Sequence, residues 1–405
     1  LHAEATTERV LARLRPILRT AREVGAFVNV DMEQYAHKDL TYAIFRRVMT
    51  EPEFRDWREV GVVCQAYLPE AMDDLVMLRD WARERGTSIT IRLVKGAYWD
   101  YEVLSAQQRG WPIPVYTEKW QSDANYERCS RFLMENYRVL RPALGSHNIR
   151  SLSFGIATAE ALGVRKAAFE VQVLHGMGEP IARALASEGY RCRVYTPYGA
   201  MLPGMAYLVR RLLENTSNEA FLKASSSGTP DYDKLLRNPE ETGAMFGRKK
   251  APKPSVPAGE LPPFENEPLT DFTRPENRER MSEALAAFLD ERRDSGPVAV
   301  PIRIGGREEK GAETAEVRSP SDLSRVVSRV QMGDEAAARR AVDSARAAFA
   351  GWSDTPAEER AAVLIRTAQL LRENRFHLSA VEVFECAKPW READGDVAEA
   401  IDFCE

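Results

Sequence analysis

From residue 1 to about 225 the chain alternates between short apolar runs and longer amphipathic stretches. The apolar runs are Ala26–Asp31, Val60–Tyr67, Thr87–Val94, Ala143–Asn148, Ala168–Leu174 and Cys192–Thr196. Their length and β-branched content predict strands. Helical patterns fill the gaps, among them Tyr35–Met49, Pro69–Arg85 and a stretch from Tyr101. Strands alternating with helices predict parallel βα units. A (β/α)8 barrel needs eight such units, whereas a doubly wound sheet can stop at six. No G-x-G-x-x-G follows the first run, which weakens the open-sheet reading. A polar residue instead closes every run: Asp31, Gln65, Arg92, His147, Gln172 and Tyr195. Barrel enzymes gather their chemistry at such strand ends. The expected fold is therefore α/β, a TIM-type barrel whose first two strands precede Leu1.

Beyond about residue 225 the character changes. "SSSGTPD" and "GRKKAPKPSVPAGELPPFENEP" are rich in Pro, Gly, Ser and Lys, which predicts a linker over 226–275. A second domain is expected over 276–405. It opens with the amphipathic "RPENRERMSEALAAFLDER". Strands follow in "VAVPIRIGGREE" and "RVVSRVQ", with Gly305-Gly306 as a turn. Helices then cover "DEAAARRAVDSARAAFAGW", "PAEERAAVLIRTAQLLRENRFHLSAVEVFE" and "READGDVAEAIDFCE". Leu1 stands where a methionine would open a chain, and "AIDFCE" stops within a helical pattern. Both features predict a piece of a longer polypeptide.

Composition narrows the function classes. A net charge of −5 implies no nucleic-acid surface. No run of about 18 apolar residues occurs, so no membrane-spanning helix is expected. The five cysteines (Cys64, Cys129, Cys192, Cys386 and Cys404) form no C-x-x-C pair and fit a reducing cytoplasm. Five histidines without H-x-H or H-x-x-x-H spacing predict no metal site.

The most loaded stretch is "IRLVKGAYWD", Ile91–Asp100. Arg92 and Lys95 close a strand, Gly96 allows a close backbone approach, and Tyr98 and Trp99 follow. Each alone reads as an ordinary strand end. Together they suit a flat anionic cofactor, such as a flavin or nucleotide. "GSHN" puts His147 and Asn148 at the next strand end, where ligand contact outweighs a structural role. "VLHGMGEP" reads equally as a tight turn, with Leu174 as a pocket wall. "YTPYG" ends the last strand, and "YLVRRLLEN" lies on the helix after it. Arg210 and Arg211 are adjacent, so they point about 100° apart on a helix. Glu214 is within reach of both. Away from a barrel mouth these charges read as surface ion pairs. Behind the last barrel strand, two guanidiniums can hold one carboxylate.

These motifs resemble those of the proline dehydrogenase domain of bifunctional proline utilization A proteins. "IRLVKGAYWD", "GSHN", "LHGMGEP" and "YLVRRLLEN" carry the likeness over residues 1 to about 225. From about residue 285 the chain is similar to the N-terminal part of aldehyde dehydrogenases, through "DEAAARRAVDSARAAFAGWSDTPAEERAAVLIRTAQLL" and "VAEAIDFCE". The resemblance implies an FAD-binding barrel that oxidises L-proline to pyrroline-5-carboxylate, hydride passing from the ring carbon beside nitrogen to flavin N5. It implies that Arg210 and Arg211 hold the proline carboxylate with Glu214 near them. Tyr195, Leu174 and Tyr98 would pack around the proline ring, Asp31 would join the ion-pair network, and Arg92 would lie near flavin N5. Gln65, Val94, Lys95, Gly96, Ala97, Trp99, Thr117, Lys119, His147 and Asn148 would line the FAD. The second domain would belong to an NAD-dependent oxidation of glutamate semialdehyde to glutamate, with Glu399 near the aldehyde.

The nucleophilic cysteine of that step, its glutamate partner and the main nucleotide-binding body do not occur in this chain. Nor does a lysine expected on an early barrel strand for the carboxylate. All are expected in the parent protein. The family further implies a homo-oligomer, a quinone or membrane electron acceptor met at the inner face of a bacterial membrane, and passage of the intermediate between the two sites. No DNA-binding module is indicated. Two other readings compete: a barrel using a phosphate or pyridoxal cofactor, with Lys95 as the Schiff base, and a non-catalytic barrel scaffold.

Overall fold

Six short strands pair side by side in chain order: β1 (Val28–Val30), β2 (Val60–Gln65), β3 (Ile89–Val94), β4 (Leu140–Gly145), β5 (Glu170–Leu174) and β6 (Cys192–Tyr195). Every pairing is parallel. A doubly wound sheet reverses its strand order partway. This one does not, and it curls as part of a barrel. The computed structural model describes residues 3–202, 204–205, 207–209, 236–246 and 264–405. Arg210, Arg211 and Glu214 lie outside the described residues. By internal contact the chain forms two units, 1–106 with 113–253 and 107–112 with 254–405.

In the first unit, α1 (Ala3–Glu23), α2 (Lys38–Thr50), α3 (Ala71–Arg85), α4 (Trp99–Gln108), α5 (Lys119–Glu135), α6 (Ile149–Ala161) and α7 (Glu179–Ser187) accompany the strands. β2 is buried along its whole length, as expected of a parallel strand covered on both faces. The core joins its Val60, Val62 and Val63 to Phe45, Leu75, Ile89, Ile91, Leu133 and Val171. α1 was not anticipated from the sequence. It buries Leu11 and Leu18, and it aligns Arg15, Arg19 and Arg22 with Glu51, Glu53 and Asp56 at 2.7–2.9 Å.

β4 starts three residues before the expected Ala143 and ends at Gly145. Pro142 lies inside it, opposite Ile91. The chain then leaves the sheet because Asn148 caps α6, its Oδ1 accepting from Ser151 N at 3.0 Å. His147 therefore belongs to the loop and not to the strand. Within the segment read as linker, Pro239–Phe246 forms α8, which packs on α5. A Cβ on Gly243 would come within 2.6 Å of the Trp120 ring, so the fit needs glycine.

The second unit contains α9 (Pro275–Ser295), β7 (Val298–Val300), β8 (Ile302–Ile304), β9 (Arg307–Glu309), β10 (Glu313–Ser319), β11 (Asp322–Met332), α10 (Glu335–Asp354), α11 (Ala357–Glu373), α12 (Arg375–Cys386) and α13 (Trp390–Cys404). Gly305 and Gly306 both have positive φ (56° and 78°) and join β8 to β9 by the turn that a tight hairpin requires. The single helix expected over 356–385 is two, broken at Asn374, whose side chain caps Leu370 O at 2.8 Å. β10 was not anticipated, since its exposed face is charged and it has no apolar run.

Residues 264–274 run as an arm along this unit, stitched by two aspartates. Asp394 accepts from Thr270 N (2.7 Å) and Arg375 Nε and Nη2 (2.7 and 2.8 Å). Asp402 accepts from Asn266 Nδ2 (2.8 Å) and Glu267 N (2.6 Å). The Asp394 side chain is 1% exposed, so Asp394→Ala leaves the Arg375 guanidinium with Glu267, at 3.1 Å, as its remaining carboxylate. The expected cost is about 1.5–3 kcal/mol, the loss of hydrogen bonds to a charged group. It would be read as earlier thermal unfolding of this unit and faster proteolysis within 264–274.

Candidate active site at the strand ends

Side chains alternate across a strand, so Arg92 shares a face with Thr90 and Val94, and Gln172 with Glu170 and Leu174. β3 and β5 are not neighbours, because β4 runs between them. On β4, Ala143 sits beside Arg92 and Gly145 beside Gln172. These two small residues leave the space through which the Arg92 side chain crosses. A Cβ on Gly145 would lie 3.8 Å from Arg92 Cγ and 3.1 Å from Val94 Cγ1. Arg92 Nε donates to Gln172 Oε1 at 2.7 Å, and Nη1 donates to the Asp31 carboxylate. The guanidinium carbon stands 5.8 Å from the centre of the Tyr195 ring, which in turn meets Tyr207. Four of the expected strand ends, Asp31, Arg92, Gln172 and Tyr195, thus converge.

Behind them lies a second charge pair. Gln172 Nε2 donates to Glu170 Oε1 at 2.6 Å, and Glu170 accepts from Arg193 Nε and Nη2 at 2.9 and 3.0 Å. Burial alone would raise the Glu170 pKa, but the hydrogen bonds from Arg193 and Gln172 outweigh it and hold the carboxyl below its ordinary value.

Lys95 turns the other way along the mouth and pairs with Asp123. Burial lowers its pKa against the opposing pull of Asp123. Lys119, one helical turn before Asp123, is exposed and lies 3.6 Å from the same carboxylate. Gly96 has φ 140°, and a Cβ there would come within 2.3 Å of the Tyr67 ring. No other residue fits this backbone. Gly96→Ala is expected to cost about 1–3 kcal/mol, a fall in Tm of several degrees, with weakened cofactor retention. Gln65 is buried at the end of β2. Its Nε2 donates to Glu33 O at 2.8 Å, while its Oε1 has no partner among the described residues.

His147 Nε2 accepts from Leu174 N at 2.9 Å, so the ring's other nitrogen carries the proton of the neutral form. A Cβ on Gly178 would press within 2.9 Å of that ring. The second glycine of "HGMG" thus packs the histidine. Val94 and Tyr98 are half-buried, whereas Ala97, Trp99 and Thr117 are exposed. Trp99 Nε1 donates to Tyr116 O at 2.8 Å. Glu399 is exposed on α13 of the second unit. Sequence reasoning missed Glu170, Arg193 and Asp123. The i, i+4 spacing of Lys119 and Asp123 and the i, i+2 spacing of Glu170 and Gln172 were the local signals of their contacts.

Among the described residues, no group of three or more His, Cys, Asp and Glu side chains could hold a metal ion. No described helix is long and apolar enough to cross a membrane.

The proline dehydrogenase family model matches residues 2–224, and the aldehyde dehydrogenase family model matches residues 307–405. The bifunctional protein PutA of Salmonella typhimurium is 30% identical over 428 residues, covering 99% of this chain and 31% of that protein. The 1-pyrroline-5-carboxylate dehydrogenase of Geobacillus kaustophilus is 42% identical over 144 residues, 35% of this chain and 27% of its own length. A crystal structure of proline utilization A from Bdellovibrio bacteriovorus, inactivated by N-propargylglycine, superposes with a TM-score of 0.90 at 44% identity. It is covered over 41% of its length, by 99% of this chain. The chain thus spans about a third of the curated bifunctional relative and under half of the solved one. It belongs to the proline dehydrogenase family and carries, after that region, the start of an aldehyde-dehydrogenase-like domain.

Proposed function

We propose that this chain forms the proline-oxidising part of an FAD-dependent enzyme that converts L-proline to pyrroline-5-carboxylate. In the intact protein this step is coupled to NAD-dependent oxidation of glutamate semialdehyde to glutamate. The observation that carries the reading is Arg92, held at the strand-end face between Asp31 and Gln172 in a family of proline dehydrogenases.

The residues present fit FAD. Gln65 Oε1 is a buried acceptor without a partner among the described residues, suited to a ring N–H. Arg92, Lys95 and His147 supply positive charge and polar contacts, with Val94, Ala97, Trp99, Thr117, Lys119 and Asn148 completing the lining. Bound FAD supplies the hydride acceptor that no side chain here can provide.

The protein's own residues orient and polarise. Arg210 and Arg211 bind the proline carboxylate by fork geometry, with Glu214 steadying them. Tyr195, Leu174 and Tyr98 enclose the proline ring. Arg92 brings a fixed positive charge to where negative charge develops, and Asp31 limits its freedom. The substrate loses a hydride from the carbon beside nitrogen and a proton from nitrogen. In the second unit Glu399 stands toward the aldehyde step. The reading also places the protein in the cytoplasm as a homo-oligomer, handing electrons to a quinone at the membrane face.

The Schiff-base alternative needs Lys95 as a free amine. Burial favours the neutral amine, but the Asp123 ion pair works against it. The test is turnover of L-proline by the intact protein with a soluble electron acceptor. A product lighter by one hydride and one proton supports the proposal. An unaltered amino acid overturns it.

A further inference from the structure

We propose that Glu170 and Gln172 are positioning residues that fix the direction of Arg92, and that Glu170 does so by setting which way the Gln172 amide faces. The inference rests on the functional reading given above for Arg92.

A glutamine side chain presents an acceptor on one side and donors on the other. Nothing in Gln172 itself decides which side faces Arg92. Glu170 decides it. Gln172 and Glu170 are 6% and 7% exposed, so water offers neither an alternative partner. An ionised carboxylate only accepts, so Gln172 must turn its Nε2 toward Glu170, which it does at 2.6 Å. That leaves Oε1 toward Arg92 Nε, at 2.7 Å. The reverse orientation would face donor against donor at Arg92 and acceptor against acceptor at Glu170, a buried arrangement with both bonds lost.

Arg193 keeps the latch charged. It grips Glu170 through both Nε and Nη2, while its guanidinium carbon rests 5.2 Å from the Phe27 ring centre. The chain of contacts therefore runs Arg193, Glu170, Gln172, Arg92, across β6, β5 and β3. It passes over β4 only because Ala143 and Gly145 are small. Asp31, 54% exposed, restrains Nη1 from the open side and cannot set the amide.

The test uses the intact flavin-loaded protein and two variants, Glu170→Gln and the double variant E170Q/Q172E. In the single variant residue 170 no longer demands a donor, and Arg92 alone holds the Gln172 amide. In the double variant a carboxylate at 172 accepts from Arg92, and the amide at 170 donates to it. Two quantities are read: the midpoint potential of the flavin by reductive titration, which needs no proline, and the rate of flavin reduction at saturating L-proline.

Glu170→Gln is expected to shift the potential negative and slow reduction roughly tenfold, the loss of one charge-assisted hydrogen bond, with KM for L-proline unchanged. The double variant is expected to recover most of both. Wild-type values in Glu170→Gln, or losses that the double variant does not recover, would overturn the latch and leave only a filler of the barrel interior. If Glu170→Gln does not fold, the double variant decides alone: a wild-type potential supports the latch and a shifted one overturns it. A wild-type protein that binds flavin but is not reduced by L-proline sinks the functional reading, whereas the potentials still judge the latch. A protein that takes up no flavin overturns both.

Discussion

Replacing Arg92 with methionine is expected to slow flavin reduction by L-proline about 10²–10³-fold, the usual cost of removing a preorganised charge from a developing one. Stopped-flow reduction under anaerobic conditions reads it directly. The size of the effect follows from how completely Arg92 is held. Nε is bound to Gln172, Nη1 to Asp31, and the guanidinium carbon lies 5.8 Å from the centre of the Tyr195 ring. A methionine of similar length fills the passage over Ala143 and Gly145 but brings no charge and no donor. Flavin content should survive, because Gln65, Lys95 and His147 remain. A rate within a few-fold of wild type would show that Arg92 is structural.

The second large effect concerns the adjacent arginines. Arg211→Met is expected to raise KM for L-proline about 10- to 100-fold while FAD stays bound, since a hydrogen bond to a charged group contributes about 1.5–3 kcal/mol. Arg210, Arg211 and Glu214 lie outside the described residues, so this expectation rests on chemistry and chain position. Adjacent positions on a helix diverge by about 100°, so both side chains reach one carboxylate only if that carboxylate sits over the helix edge between them. Steady-state kinetics in the intact protein separate this role from a catalytic one: KM should rise far more than kcat falls. An unchanged KM would remove the clamp.

Much of the barrel could be read from the chain because its strands are short β-branched runs, each closed by a polar residue. Val60–Gln65 and Ile89–Val94 are strands as expected. β4 was misplaced by three residues because Pro142 reads as a breaker, although the sheet tolerates it opposite Ile91. α1 carries only a thin apolar seam between its arginines and gave little signal. The site divides in the same way. Arg92, Lys95 and Gly96 are legible as a local cluster. The partners that fix them are not, since Gln172, Glu170 and Arg193 come from other strands, 78 to 101 positions on from Arg92. No local pattern encodes a side chain reaching over an intervening strand. The small residues that permit it, Ala143 and Gly145, look like ordinary strand positions until the register is known. Asn148 and His147 show the converse: both were nominated for cofactor contact, and both also have structural duties, capping α6 and accepting from Leu174 N.

The claim that this barrel oxidises proline with a bound flavin is tested most directly by one visible absorption spectrum. The intact protein is purified and recorded anaerobically before and after addition of L-proline. The account predicts flavin bands that bleach on addition and return with an electron acceptor. Flavin bands that persist in the presence of L-proline, or a protein that carries none, would contradict it.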